Sequence, residues 1–437
     1  MANAFLRAFR TPELRAKILF TLGLLAVYRI GVFIPTPGFD YSNVMMCADR
    51  TMSGDGGNVL GMVNLFSGGA LLQLSVFSLG VMPYITASII VQLLRVVIPR
   101  FETLHKEGQQ GQAKLTQYTR YLTIGLAVLQ STTIVTLVRS GQFFPGCPPE
   151  LLIPNDSVWV LLSMVLTMTV GTVVIMWMGE LITERGIGNG MSLLIFTSIA
   201  ASFPAAFGQI FTLQGWLTFT LVILVTFVVM VAIVFVEQSQ RRVPVQYAKR
   251  MVGRRMYGGT STYIPIKVNQ AGVIPIIFAS SILAVPQMIT GFGNPEDAWV
   301  GWVNQHLTLG QDQFSAIYAI VYVALIIFFA FFYTSITFNP EEIADNMKKY
   351  GGFIPGVRAG GPTERYLQYV ITRIQSPGAV YLAVISLLPL LALVYLGASG
   401  DFPLGGASVL IIIGVGLDTV KQIDAKLQQH HYEGILR

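Results

Sequence analysis

The sequence is poor in charge, cysteine and histidine. Only 11% of its 437 residues are Asp, Glu, Lys or Arg, against about 25% in an ordinary soluble chain. A water-soluble protein of this length cannot cover its surface with so few charges, which excludes a cytosolic enzyme. Disorder is excluded by the opposite excess: 53% of the residues are hydrophobic, and disordered chains lack the apolar side chains to build a core. Two cysteines, Cys47 and Cys147, are too few for a thiolate metal cage or a disulfide framework. The four histidines include the neighbours His430 and His431 but no HExxH pattern, so no metal and no other cofactor is expected. No small-residue cleavage site follows the first apolar run, which therefore reads as a span and not as a cleaved leader.

What the chain has instead is long apolar runs, at about 18–34, 73–94, 122–137, 158–178, 186–203, 216–236, 273–289, 314–333, 379–396 and 405–420. Roughly 20 apolar residues cross a bilayer core, so the runs predict an all-α polytopic membrane protein with ten transmembrane helices. If the N-terminus is cytoplasmic, 25 of the 28 lysines and arginines fall on that side. Arg50 and Arg139 remain in outer loops. Arg29 lies in the first helix, where a long side chain near a helix end is expected to snorkel to the interface. The positive-inside rule then puts both termini in the cytoplasm. The net charge of +6 thereby belongs to a membrane face that meets anionic lipid, and not to a DNA-binding surface.

An internal repeat divides the chain. GVMPYITAS (80–88) and GVIPIIFAS (272–280) share six of nine positions, and each lies in the second helix of a group of five. Five is odd, so halves 1–204 and 205–437 must insert with opposite orientation, and matched Gly/Pro-interrupted helices point to a functional centre between them. The prolines predict kinks, with Val81, Ile85 and Ile277 close by. A transporter centre needs ionisable groups at membrane depth, and the spans are almost bare of them. A ring of aliphatic side chains cannot coordinate ions, but it can block them by dewetting. Thr86, Gln130 and Asn269 stand in apolar surroundings, either as ordinary interhelical hydrogen bonders or as a cluster at a seam that opens. Residues 58–72 are apolar yet too short and glycine-rich to span. They read as a half-inserted segment, which needs protein or a water-filled cavity around it.

Two loops on the basic side are longer than topology requires. In 238–269, the β-rich runs VPVQYA and STYIPIKV flank KRMVGRRMYGGT, which predicts a hairpin with Arg254 and Arg255 near its tip. In 337–375, a short helix (NPEEIADNMKKY) precedes a Gly/Pro loop that presents Arg358. Such protrusions suit a cytoplasmic partner with an acidic or phosphate-bearing surface. The GIGNG run at 186–190 lacks the preceding strand and following Lys-Ser/Thr of a phosphate loop, and reads as the start of a helix. Cys47 and Cys147 both fall in outer, oxidising surroundings, where they either pair across two loops of the first half or stay as thiols.

The motifs FIPTPG (33–38), NLFSGGAL (64–71), GVMPYITASIIVQLL (80–94), QYTRY (117–121), GELITERGIGNGMS (179–192), KVNQAGVIPIIFASS (267–281), FNPEEIADNMKK (338–349) and FIPGVR (353–358) resemble those of the SecY family. Its members are channel subunits of the general protein translocase, and the resemblance covers essentially the whole chain. It implies a clamshell of two five-helix halves around an hourglass pore in the bacterial cytoplasmic membrane. Such a pore conducts unfolded secretory polypeptides across the membrane and releases membrane segments sideways into lipid. By position in matching motifs the pore ring is Val81, Ile85, Ile195, Ile277 and Ile411, with Val81 standing where many relatives carry isoleucine and slightly widening the constriction. The plug is 64–72, including Asn64, Leu65, Phe66, Ser67, Gly68 and Gly69. The lateral gate lies between the second and seventh helices, where Thr86, Gln130 and Asn269 match a polar cluster. Arg254, Arg255 and Arg358 match positions that dock the SecA motor or the ribosome. The further partners implied are the small subunits SecE and SecG and signal-sequence-bearing polypeptides. Energy would come from a partner, so the chain is expected to be a conduit and no enzyme. An inverted-repeat transporter of a small solute is the alternative, which lacks the intramembrane charged site it requires.

Overall fold

Helices dominate the computed structural model, which describes residues 11–53, 67–141, 143–144, 147–247, 250–252, 255–257, 261–290, 297–307, 315–396 and 406–433. The first half contains α1 (Pro12–Val32), α2 (Tyr41–Ser53), α3 (Met82–Val97), α4 (Pro99–Lys106), α5 (Gln109–Arg139), the single turn α6 (Pro149–Leu152), α7 (Val158–Arg185) and the start of α8 (Gly190–Gln238). The strands β1 (Gln240–Tyr247), β2 (Arg250–Val252), β3 (Arg255–Tyr257) and β4 (Ser261–Lys267) follow. The rest is α9 (Ile274–Thr290), α10 (Ala298–His306), α11 (Ala316–Thr337), α12 (Pro340–Lys349), β5 (Gly352–Phe353), α13 (Gly361–Leu396) and α14 (Gly406–Glu433). Two apolar runs share α8, divided at Gly215, whose backbone (φ 82°, ψ 173°) is not helical. Asn189 caps the start of α8 by accepting from the Met191 and Ser192 N–H groups, so the GIGNG run is indeed a helix start.

Five helical stretches among the described residues are each long and apolar enough to cross a bilayer, and α3 with α4 forms a further pair bent by 100°. Large apolar side chains such as Trp159 (80% exposed) and Phe235 (75%) point outward, an arrangement that only lipid makes favourable. The two shorter apolar stretches, Gly190–Pro204 and Ile274–Leu283, are mostly buried or half-buried.

The run at 73–94 is not one helix. Residues 67–81 form a buried, irregular stalk, and α3 begins only at Met82. The stalk's backbone bonds partly within its own turns, as from the Ser75 N–H to the Ala70 carbonyl at 3.1 Å, and partly to the FIPTPG segment: the Thr36 N–H donates to the Leu74 carbonyl at 3.1 Å and the Val76 N–H to the Ile34 carbonyl at 2.9 Å. Its apolar composition reflects enclosure by protein, since Ala70, Leu71, Leu72, Leu74, Phe77 and Leu79 are all buried. Close approach of the flanking helices allows this. A Cβ at Gly31 of α1 would strike the Phe77 ring, and one at Gly171 of α7 would strike the Val76 carbonyl.

The sequence repeat is also a repeat of local structure. Gly80 and Gly272 both take left-handed backbone angles (φ 55° and 61°), which a side chain would disfavour. Two residues after each, α3 and α9 begin, with Pro83 and Pro275 in their first turns. A proline there lacks an N–H that would have no helical partner anyway. The repeated prolines therefore start helices, correcting the expectation that they kink them.

The two long loops prove to be one body. β1 pairs antiparallel with β4, from Gln240 opposite Lys267 to Gln246 opposite Ser261, and on its other edge with β5. The expected hairpin continues in β2 and β3, where Val252 pairs with Arg255. Val243 and Val245 alternate inward from β1 and meet Ile266, Met347, Ile354, Leu367 and Val370 in a shared core. At the opposite end of the helices, Cys47 of α2 is disulfide-bonded to Cys147 in the loop after α5, with their Cα atoms 6.1 Å apart. This closes the alternative left open by the sequence.

Candidate functional site

Val81, Ile195, Ile277 and Ile411 are all at most 7% exposed and lie in one apolar cluster, with Ile85 packed against it. They arrive from the stalk's end, α8, α9 and α14, so both halves supply the cluster. Of the consecutive isoleucines 411–413, Ile411 is the one buried within it, while Ile412 packs on its edge.

The stalk leads into this cluster from the disulfide-bearing end. Ser67 is buried, its Oγ accepting from the Leu71 N–H at 3.1 Å. Gly68 and Gly69 both have positive φ (69° and 92°). Arg29 does not snorkel: its Nη1 donates to the Gly68 carbonyl at 2.6 Å and its guanidinium lies 5.1 Å from the centre of the Phe33 ring. Asn64, Leu65 and Phe66 lie outside the described residues.

Beside the cluster, the halves meet along an apolar seam. Ile89 of α3 packs with Phe278 of α9 and Phe329 of α11, flanked by Ile85, Leu93, Ile274, Leu325 and Phe332. Phe278 meets Phe329 edge to face at 5.4 Å. The polar residues expected here are satisfied separately. Thr86 donates to the Met82 carbonyl of its own helix at 3.0 Å. Asn269, 4% exposed, donates through Nδ2 to Glu237 Oε1 at 2.6 Å and to the Gly272 carbonyl at 3.2 Å, and so ties the hairpin's exit to the end of α8. Gln130 is half-buried on α5.

A contact that sequence reasoning missed closes one end of the seam. Arg95, in the last turn of α3, reaches His105 Nδ1 through Nη1 at 3.3 Å and the Ile336 carbonyl of α11 through Nη2 at 3.5 Å. An arginine at that helix end satisfies the positive-inside rule, which concealed the second role. Burial and the nearby Arg95 hold the His105 imidazole below the usual histidine range, against a smaller upward pull from Glu342. His105 is thus neutral at pH 7 and able to accept from Arg95. Because its pKa is depressed here, the contact is fully present above the free histidine value of about 6.5 and weakens as pH falls below it. Nitroxides at Val97→Cys and Thr337→Cys, both exposed, should report a broader separation at pH 5.5 than at pH 7.5. In His105→Gln that pH dependence should vanish; a distribution equally pH-dependent in both proteins would refute it.

On the basic body, Arg255 sits in β3 and Arg358 is exposed in the loop after β5. Arg254 lies outside the described residues. Two ion pairs lie near the helix ends on this side: Arg120 with Glu180 at 2.7 Å, and Lys267 with Asp418 at 3.5 Å.

The SecY family model matches residues 75–420. The protein translocase subunit SecY of Streptomyces scabiei is 60% identical over 442 residues, covering all of both chains. Among solved structures, a SecY described as having a plug domain that stabilises the closed state and maintains a membrane seal aligns with a TM-score of 0.60 at 18% identity, covering 93% of this chain and 91% of that one. The yeast Ssh1 complex bound to the ribosome aligns with a TM-score of 0.60 at 14% identity, covering 93% and 89%. At such identities the structural likeness speaks for the fold alone.

Proposed function

We propose a mechanism from one premise: the chain belongs to the SecY family. It is a multi-pass membrane protein and a protein-conducting channel. The small-solute transporter finds no support, because the full-length relatives are translocase subunits. One observation carries the mechanism: Val81, Ile195, Ile277 and Ile411, with Ile85 at their edge, belong to a single buried apolar cluster drawn from both halves. Such a ring gives an ion no substitute for its hydration shell, so it seals by dewetting. A polypeptide in transit asks less of it. Aliphatic side chains lose only dispersion contacts when they move aside, so the ring can close around residues of any chemistry.

The plug over this ring is 64–72, within the segment 58–72, and Ser67–Gly69 open its described part. The lateral gate is the seam between α3 and α9, with Thr86, Gln130 and Asn269 around it. Without a hydrophobic driving force in lipid, helices associate by packing. A hydrophobic signal helix can therefore replace the contacts of Ile89, Phe278 and Phe329 one for another. Its higher affinity for the parted seam shifts the population toward the open state. The chain sits in the cytoplasmic membrane with both termini and the β1–β5 body cytoplasmic, as ten spans in halves 1–204 and 205–437. The body, with Arg254, Arg255 and Arg358, receives SecA or the ribosome, which drives movement. SecE and SecG complete the complex, and anionic lipid surrounds its basic face.

Cross-linking tests the ring. With the Cys47–Cys147 pair left intact, Ile277→Cys should form a disulfide with a cysteine in the mature part of a secretory precursor stalled during export. A precursor that is exported normally but never reacts at Ile277→Cys, Ile85→Cys or Ile195→Cys would overturn the assignment.

A further inference from the structure

Arg29 is a half-buried cation in the last turn of α1, the first proposed span, and makes no ion pair among the described residues. Ionisable groups in such positions are rare and mark function. Its charge goes to the Gly68 carbonyl at 2.6 Å, 39 residues along the chain. The preceding residue works on the same structure: the Tyr28 hydroxyl and Ser198 Oγ of α8 share a 2.6 Å hydrogen bond, and the Tyr28 ring stacks on Phe77 of the stalk at 5.9 Å. Ser198 stands one helical turn beyond Ile195. Gly68 lies between these groups in a notch that a side chain would crowd. Its φ is +69°, and a Cβ would come 3.1 Å from Ser198 Cα and 3.2 Å from Arg29 Nη1.

We infer that Arg29 is the positioning residue that seats the plug, holding the Gly68 carbonyl in the notch beside Ile195, and that unseating begins when this contact breaks. The inference rests on the plug reading above. The choice of partner suits a reversible closure. A charge-assisted bond to a neutral carbonyl is stronger than an ordinary hydrogen bond, yet breaking it strands no buried carboxylate, as breaking an ion pair would. An opening that lets the plug leave also lets water in to solvate the guanidinium, so neither state leaves the charge uncompensated.

The test uses the assembled channel complex in liposomes. A Ser67→Cys reporter is buried when seated, and its reaction with a membrane-impermeant maleimide from the outer side reads unseating. Arg29→Met should speed that reaction about tenfold or more, the loss expected for one hydrogen bond to a charged group, and raise idle ion conductance. Arg29→Lys, a shorter point charge, should fall between. Labelling at exposed Asn155→Cys should not change, which a general loosening of the fold would not allow. If Arg29→Met does not assemble, Arg29→Lys and Gly68→Ala carry the test, with faster labelling expected from both. Deleting 58–66 separates the two readings. If the deletion leaks while the Arg29 variants label Ser67→Cys at the parent rate, Arg29 has no seating role and the plug stands. If the deletion leaves the seal intact, the plug reading fails and this inference with it.

Discussion

Ile277→Asp should turn an idle, sealed channel into one that conducts ions without any precursor present. Ile277 is 7% exposed and shares its cluster with Val81, Ile195 and Ile411. An ionised carboxylate left dry and unpaired there would be destabilised by tens of kcal/mol on an idealised Born estimate, roughly more than any fold can tolerate. The carboxyl responds by taking up a proton or by drawing in water, and since even the neutral acid hydrogen-bonds water, the ring wets and no longer presents a dewetting barrier. Planar bilayers containing the purified complex should therefore pass from rare, brief openings to sustained current. Ile277→Leu keeps volume and apolarity and should stay closed, since such swaps disturb packing little. Ile85→Asp, at the edge of the cluster, should leak less than Ile277→Asp. A membrane that stays tight with Ile277→Asp, in a complex that still exports precursor, would remove Ile277 from the constriction.

The helices were legible because lipid leaves a spanning chain few options: long apolar segments must satisfy their backbone internally. The hairpin was legible for a different reason. Its β-branched runs VPVQYA and STYIPIKV became β1 and β4 in register, with Arg255 next to the tip. The stalk at 67–81 was not. An apolar run reports removal from water, and nothing in it says whether lipid or protein does the removing. Only the hydrogen bonds to Ile34 and Thr36 distinguish the two. Pro83 and Pro275 misled similarly, because a proline that starts a helix and one that bends it look alike until the preceding left-handed glycine is seen. The union of the two basic loops depends on β5, a two-residue strand too short to leave a pattern.

Side-chain roles followed the same division. Ile85, Ile277 and Val81 could be singled out by a repeat, and Ile195 and Ile411 only by resemblance. The packing that joins all five comes from four separate segments of chain. Arg29 and Arg95 were visible as charges, but their partners, the Gly68 and Ile336 carbonyls, are backbone atoms far along the chain. Every residue has such a carbonyl, so no residue type announces it.

Removing the disulfide should produce the largest loss of stability of any change that leaves the ring untouched. Cys47 and Cys147 close a loop of 100 residues, a constraint on the unfolded chain worth about 4.7 kcal/mol in the chain-entropy model. The loop holds the plug segment, the stalk, α3, α4 and all of α5, so the constraint acts on the segment that carries Val81 and Ile85. Both sulfurs are also buried among Val44, Leu72, Val135, Phe144 and Leu152, and a serine hydroxyl in either place would need a partner. The same end is held further by Asn43 Nδ2 donating to the Leu151 carbonyl at 3.1 Å and by the Asp40 N–H donating to the Leu152 carbonyl at 3.1 Å. These bonds should keep Cys47→Ala/Cys147→Ala folded at low temperature while its thermal inactivation midpoint falls. Reductant at temperatures that expose the bond should bring the parent down to the same midpoint and leave the double variant unchanged. Maleimide labelling of both cysteines in the folded, unreduced parent would show free thiols and refute the pairing. The idle seal gives a second, independent readout. α2 leads directly into 54–66, so freeing Cys47 loosens the anchor on the N-terminal side of the plug, as Arg29→Met does on the other. Each change should raise the leak, and because both act on one seated state their effects in combination should depart from simple addition.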